Sequence, residues 1–76
     1  LGSDTLQEGS GQVRRIQRLK VHPRYDPGRN DNDFMLLRLD RPAALGPRVK
    51  SIPLASSCPS PGASCSVSGW GTTKSP

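Results

Sequence analysis

Asn32-Asp33-Phe34-Met35-Leu36-Leu37-Arg38-Leu39 is the stretch on which the fold turns. Its apolar run, Phe34 to Leu37, follows a loop dense in turn residues (22–33) and precedes a proline-rich segment (40–62). A short continuous apolar run between turn signals is the pattern of a strand covered on both faces, so a strand is expected over 34–39. Upstream, residues 13–21 satisfy two periodicities. Alternation places Val13, Gln17, Leu19 and Val21 on one face, with Arg14, Ile16, Arg18 and Lys20 on the other. Helical spacing would group Val13, Ile16, Leu19 and Lys20. The His22-Pro23 pair decides for a strand with a basic outer face, because the residue before proline favours extended backbone. Residues 1–12 read as a polar loop. Residues 40–62 contain Pro42, Pro47, Pro53, Pro59 and Pro61 and read as an extended connector. Ala63 to Gly71 is strand-like, with Cys65 and Val67 on one face, and a polar tail follows to Pro76. The pattern is all-β with long loops.

Composition limits what such a chain does alone. Of its 76 residues 32% are apolar, three are aromatic (Tyr25, Phe34, Trp70), and eight glycines and eight prolines interrupt the rest. A core this thin usually needs staples, and two cysteines supply at most one internal disulfide. A piece of a larger protein is therefore expected. The net charge of +5 is concentrated in Arg14, Arg15, Arg18 and Lys20, followed by Arg24 and Arg29. Its plain reading is a solvated strand face; a secreted module that binds polyanions through Arg14, Arg18 and Lys20 is an alternative. No aromatic is interleaved with these residues to stack bases, which argues against nucleic acid. The longest apolar run, Phe34–Leu37, is far short of the ~18 residues that span a bilayer, so no membrane partner is expected. A secretory leader would lie upstream of Leu1.

Two stretches together carry a family resemblance. Asn32–Leu39 resembles the segment that delivers the catalytic aspartate in chymotrypsin- and trypsin-like serine proteases. Cys65-Ser-Val-Ser-Gly-Trp-Gly71 is similar to the first strand of their second barrel. His22-Pro23, the connector Val49-Lys-Ser-Ile-Pro-Leu54 and the opening Leu1-Gly2 fit in order and spacing, so the resemblance covers essentially the whole chain. Cys58 to Pro76 most resembles the kallikrein-related branch. The resemblance implies an antiparallel double β-barrel of which this chain is a part: residues 1–40 from the first barrel, 41–62 the connector, and 63–76 the first strand of the second barrel with the start of its loop. It also implies an internal fragment, or one chain of a nicked, secreted serine endopeptidase that needs no cofactor. A catalytically inactive homologue or truncated isoform acting as a binding protein is the alternative within the family.

The same resemblance makes Asp33 the triad acid. Serine becomes a nucleophile when a histidine takes its proton, and a carboxylate on the far ring nitrogen holds that histidine's tautomer and stabilises its charge. His22, the only histidine, does not match the catalytic one, and no Gly-Asp-Ser-Gly-Gly stretch is present. The histidine and serine would come from elsewhere, and this chain alone would be inactive. Arg29 and Asn30, in the short loop ahead of Asp33, are expected to border the substrate. Partners would be the remaining disulfide-linked chain or chains, protein or peptide substrates, and protein inhibitors. Trypsins bind calcium through a carboxylate-rich loop near Leu1-Gly2. Here Ser3 and Gly11 stand at the outer ligand positions and only Glu8 remains, so no metal is expected.

Cys58 and Cys65 could close a small loop with each other; the family pattern instead pairs each with a different partner outside this chain. Intact-mass measurement of the protein as isolated from its oxidising compartment, with and without reductant, is expected to release further polypeptide from this chain on reduction. An unattached chain lighter by two hydrogens would assign the local bridge instead.

Overall fold

The computed structural model describes residues 1–75. It contains one two-stranded antiparallel sheet, β1 (Ile16–Val21) and β2 (Met35–Leu39), and no helix among the described residues. β1 is rich in β-branched and long side chains and is bounded by the His22-Pro23 corner; β2 is the expected apolar run without Phe34. Phe34 still belongs to the ladder, because its carbonyl accepts the His22 N–H at 3.0 Å.

The register corrects the expected faces of β1. Val21 lies opposite Met35, Lys20 opposite Leu36, Leu19 opposite Leu37 and Arg18 opposite Arg38, but Ile16, not Gln17, lies opposite Leu39. Gln17 is the extra residue of a β-bulge. Opposed residues share a face. One face therefore carries Ile16, Leu19, Val21, Met35, Leu37 and Leu39, while the other carries Arg18, Lys20, Leu36 and Arg38. Strict alternation had assigned Ile16 to the basic face; the inserted residue moves it to the apolar one. The strand also begins at Ile16 rather than Val13.

Residues 1–14 and 42–49 are tied together beside the sheet. The Leu1 nitrogen donates to the Gln12 carbonyl at 2.7 Å, and the Gln12 N–H returns a bond to the Leu1 carbonyl at 2.8 Å. Gly11, at φ 74°, is required at this closure: a Cβ would collide with the Leu1 carbonyl. The Gln12 side-chain amide then acts as a surrogate strand. Its Nε2 donates to the Ala44 carbonyl and its Oε1 accepts the Ala44 N–H, both at 2.7 Å. Arg14 completes the clip, donating to the Pro42 carbonyl (3.0 Å), the Val13 carbonyl (2.9 Å) and Gln12 Oε1 (3.0 Å). Beyond it, Gly46 and Val49 exchange two backbone hydrogen bonds around Pro47-Arg48.

No described residue is buried. The strand expected to be covered on both faces is exposed here, with Phe34 and Leu36 each 74% accessible. Residues 63–71, expected as a strand, form none: a strand needs a neighbouring strand to take its peptide groups, and of theirs only the Ala63 N–H finds a backbone partner among the described residues, in the Ser60 turn. Val67 is 99% accessible. The chain's surface is 7868 Å², against about 4,500 Å² for a compact protein of its mass. Its radius of gyration is 15.5 Å, against about 11 Å for a compact domain of this length. No helix among the described residues is long and apolar enough to cross a membrane.

A sheet of two strands without a core lacks the burial that makes unfolding cooperative. The isolated 76-residue chain is expected to show no cooperative thermal transition by far-UV circular dichroism. A sharp two-state melt would show a self-sufficient core and contradict this account.

Candidate functional site

The segment between the two strands carries Asp33, and its local bonds explain how that residue is presented. At the exit of β1 the His22 carbonyl accepts the Tyr25 N–H at 3.0 Å, while the His22 ring accepts the Arg24 N–H on Nδ1 at 3.0 Å. His22 thus folds the corner with both backbone and ring, and an imidazole accepting at Nδ1 carries its hydrogen on Nε2. Asp26 and Asp31 exchange backbone hydrogen bonds at 3.0 and 3.1 Å, and Asp26 Oδ1 accepts the N–H groups of Gly28 (3.0 Å) and Arg29 (3.3 Å). This is aspartate satisfying its own turn. Arg29 and Asn30 lie exposed at its tip, Asn30 with φ 50°.

Asn32 sets the approach to Asp33. Its φ is 51°, a left-handed conformation that asparagine tolerates better than most residues, and its Nδ2 donates to the Arg24 carbonyl at 3.1 Å. Its own carbonyl accepts the Phe34 N–H at 2.8 Å. That bond closes a three-residue turn with Asp33 at its apex, directly before β2. The surrounding donors are turned to oxygens of Asp26, Arg24 and Asn32. Among the described residues none reaches the Asp33 carboxylate, which is exposed. An acceptor held on a defined backbone with its lone pairs open can receive a hydrogen bond from a group brought to it.

The Trypsin family model matches residues 1–76. The chain belongs to the trypsin family. Within that family it is kallikrein-like. It is 47% identical to human kallikrein-14 over 78 residues, covering 100% of this chain and 29% of the relative. It is 47% identical to human kallikrein-7 over 81 residues, covering 100% and 30%. It is 44% identical to dog serine protease 1 over 70 residues, covering 92% and 28%. This trypsin-family chain thus spans under a third of the length of these relatives.

The other expected positions are distributed as follows. Cys58 and Cys65 are both free and exposed, separated by a turn in which the Ala63 N–H donates to the Ser60 carbonyl at 3.0 Å. Pro61 and Gly62 (φ 83°) occupy the two central positions that suit them in a type II turn. In the amino-terminal polar loop, hydroxyls bond to one another: Ser3 Oγ lies 2.7 Å from Ser10 Oγ and 3.1 Å from Thr5 Oγ1. The described residues form no group of three or more His, Cys, Asp or Glu side chains placed to hold a metal ion. Sequence reasoning passed over Asn32, whose only signal was an asparagine immediately before the acid. Arg14, expected on a solvated basic face, instead has its guanidinium committed to Pro42, Val13 and Gln12.

Asn32→Ala removes the bond to Arg24 and places a Cβ-bearing residue with no compensating side chain at φ 51°. A loss of about 1–2 kcal/mol is expected in urea unfolding of the complete protein that carries this segment. Asn32→Gly, relieved of the conformational cost, is expected to lose roughly half as much. Two neutral variants would show that Asn32 anchors nothing.

Proposed function

We propose that this chain is part of a secreted, trypsin-like serine endopeptidase and supplies its triad aspartate, Asp33. The observation that carries the reading is the exposed Asp33 carboxylate at the apex of an anchored turn, in a chain whose family is trypsin. In this reading, an imidazole from outside these residues donates its Nδ1–H to Asp33. It then takes the proton of an incoming serine hydroxyl at Nε2 and passes it to the leaving amine. Asp33 stays ionised throughout; it fixes the tautomer and offsets the positive charge of the imidazolium. Peptide hydrolysis proceeds through an acyl-enzyme, with no step assigned to a metal or cofactor.

The apolar sheet face supports the architectural half of the reading. Ile16, Leu19, Val21, Met35 and Leu37 are each about half exposed here, so completing their burial would contribute roughly half of the 1.5–3 kcal/mol apiece that full burial from water gives. In the proposed double barrel, residues 1–40 complete the first barrel around that face, 41–62 form the connector, and 63–76 begin the second. The backbone of 64–71 would find its partner strand there. Cys58 and Cys65 would each bond to a cysteine of the remaining chain. Arg29 and Asn30, on the tip closed by Asp26, would border the non-prime substrate side, where Arg29 favours acidic or polar groups.

Asp33→Asn in the complete protein is expected to lower kcat about 10⁴-fold at neutral pH, because a neutral amide at this position holds the imidazole in the wrong tautomer. KM should change little, because Asp33 does not touch substrate. The 76-residue chain alone should hydrolyse nothing. Full activity in the Asp33→Asn protein would remove the proposed role.

A further inference from the structure

The second face of the sheet carries a feature that the endopeptidase reading does not use. Arg18 lies directly opposite Arg38, and Lys20 follows on the same face opposite Leu36. Facing residues of an antiparallel pair are about 4.5–5.5 Å apart at Cα, and Lys20 sits a further two residues, about 6.8 Å, along the strand. Like charges directly opposed disfavour the ladder. Neither strand contains a carboxylate to compensate them. Asp40, just past β2 beyond the Arg18–Arg38 end of the row, keeps its charge and accepts the Arg15 N–H on Oδ1 at 3.1 Å. Three exposed cations thus form a short row across the paired strands, with no acid in either strand.

We propose that Arg18, Lys20 and Arg38 form a docking strip for a linear sulfated polysaccharide. The register assigns this trio in place of the Arg14, Arg18 and Lys20 set suggested by sequence order: Arg38 joins from β2, and Arg14 leaves because its donors hold the Gln12 clip. Guanidinium groups match the paired oxygens of a sulfate with two parallel N–H donors, and two such forks side by side accept consecutive charges of one extended polymer. A base-stacking mode is disfavoured, because this face offers one aromatic, Phe34, which follows Leu36 beside Lys20, and a single ring gives no platform for successive bases. The strip is independent of Asp33, so it stands or falls apart from the proposed catalysis.

The test is heparin binding by the complete protein that carries this chain, measured across a salt series. R18Q/R38Q is expected to flatten the log–log salt dependence by about two, one per lost cation, with an earlier elution from immobilised heparin. R41Q/R48Q, which removes the same charge elsewhere, is expected to change it little. Equal effects from the two double variants would overturn the strip, since binding would then follow net charge alone. Equally tight binding to desulfated heparin, or to phosphatidylserine vesicles, would overturn the sulfate assignment. If R18Q/R38Q loses its thermal transition, Lys20→Gln carries the same test: a slope flattened by about one supports the strip, and an unchanged slope overturns it.

Discussion

The antiparallel ladder between Ile16–Val21 and Met35–Leu39, with its single inserted residue at Gln17, is the constraint from which the rest follows. It sets which side chains share a face, and it fixes where the intervening loop must leave and return. Because His22 still donates to Phe34 beyond the last strand pair, the loop's two ends are tied together at its base. Everything between them is short-range accommodation: the His22 corner, the Asp26 turn and the left-handed Asn32. Asp33 is placed by that sequence of local solutions, not by burial.

A second constraint operates away from the sheet. The Gln12 amide offers a carbonyl and an N–H₂ in nearly the geometry of a peptide group, so it satisfies both backbone groups of Ala44 without a strand. Arg14 then links the same oxygen to the Pro42 carbonyl. The connector is accordingly held to the amino-terminal loop as far as the Gly46–Val49 turn. Its extended character becomes free only beyond that point, where side chains such as Leu54, 91% accessible, touch little.

The position of β2 and the existence of β1 were legible in the sequence because their signals are local: an apolar run for one, a proline corner for the other. The faces of β1 were not legible in full. A one-residue bulge marks the hydrophobic pattern only as one apolar residue out of phase, here Ile16, which a basic face with a single apolar member would show equally. Residues 63–71 show only a weak alternation, with Cys65 and Val67 on one face, and alternation cannot supply the neighbour that makes extended chain into sheet. At the site, the importance of Asp33 was read from family resemblance, whereas the means of holding it there lies in Asn32. That side chain reaches back eight residues to the Arg24 carbonyl, a contact no spacing rule anticipates. Arg14 was misjudged for the opposite reason: its charge was visible in the sequence, but its three hydrogen bonds were not.

The bulge also divides β1 into two reading frames. Downstream of Gln17 the odd-numbered positions, Leu19 and Val21, point towards the apolar side; upstream the even-numbered Ile16 does. A mutational scan across this strand would therefore show its pattern of tolerance invert at one residue, and excising Gln17 would restore a single frame without trading Ile16 for a polar neighbour. Geometrically the inserted glutamine is a spacer, and a chain shorter by that one residue would keep Ile16, Leu19 and Val21 on one face.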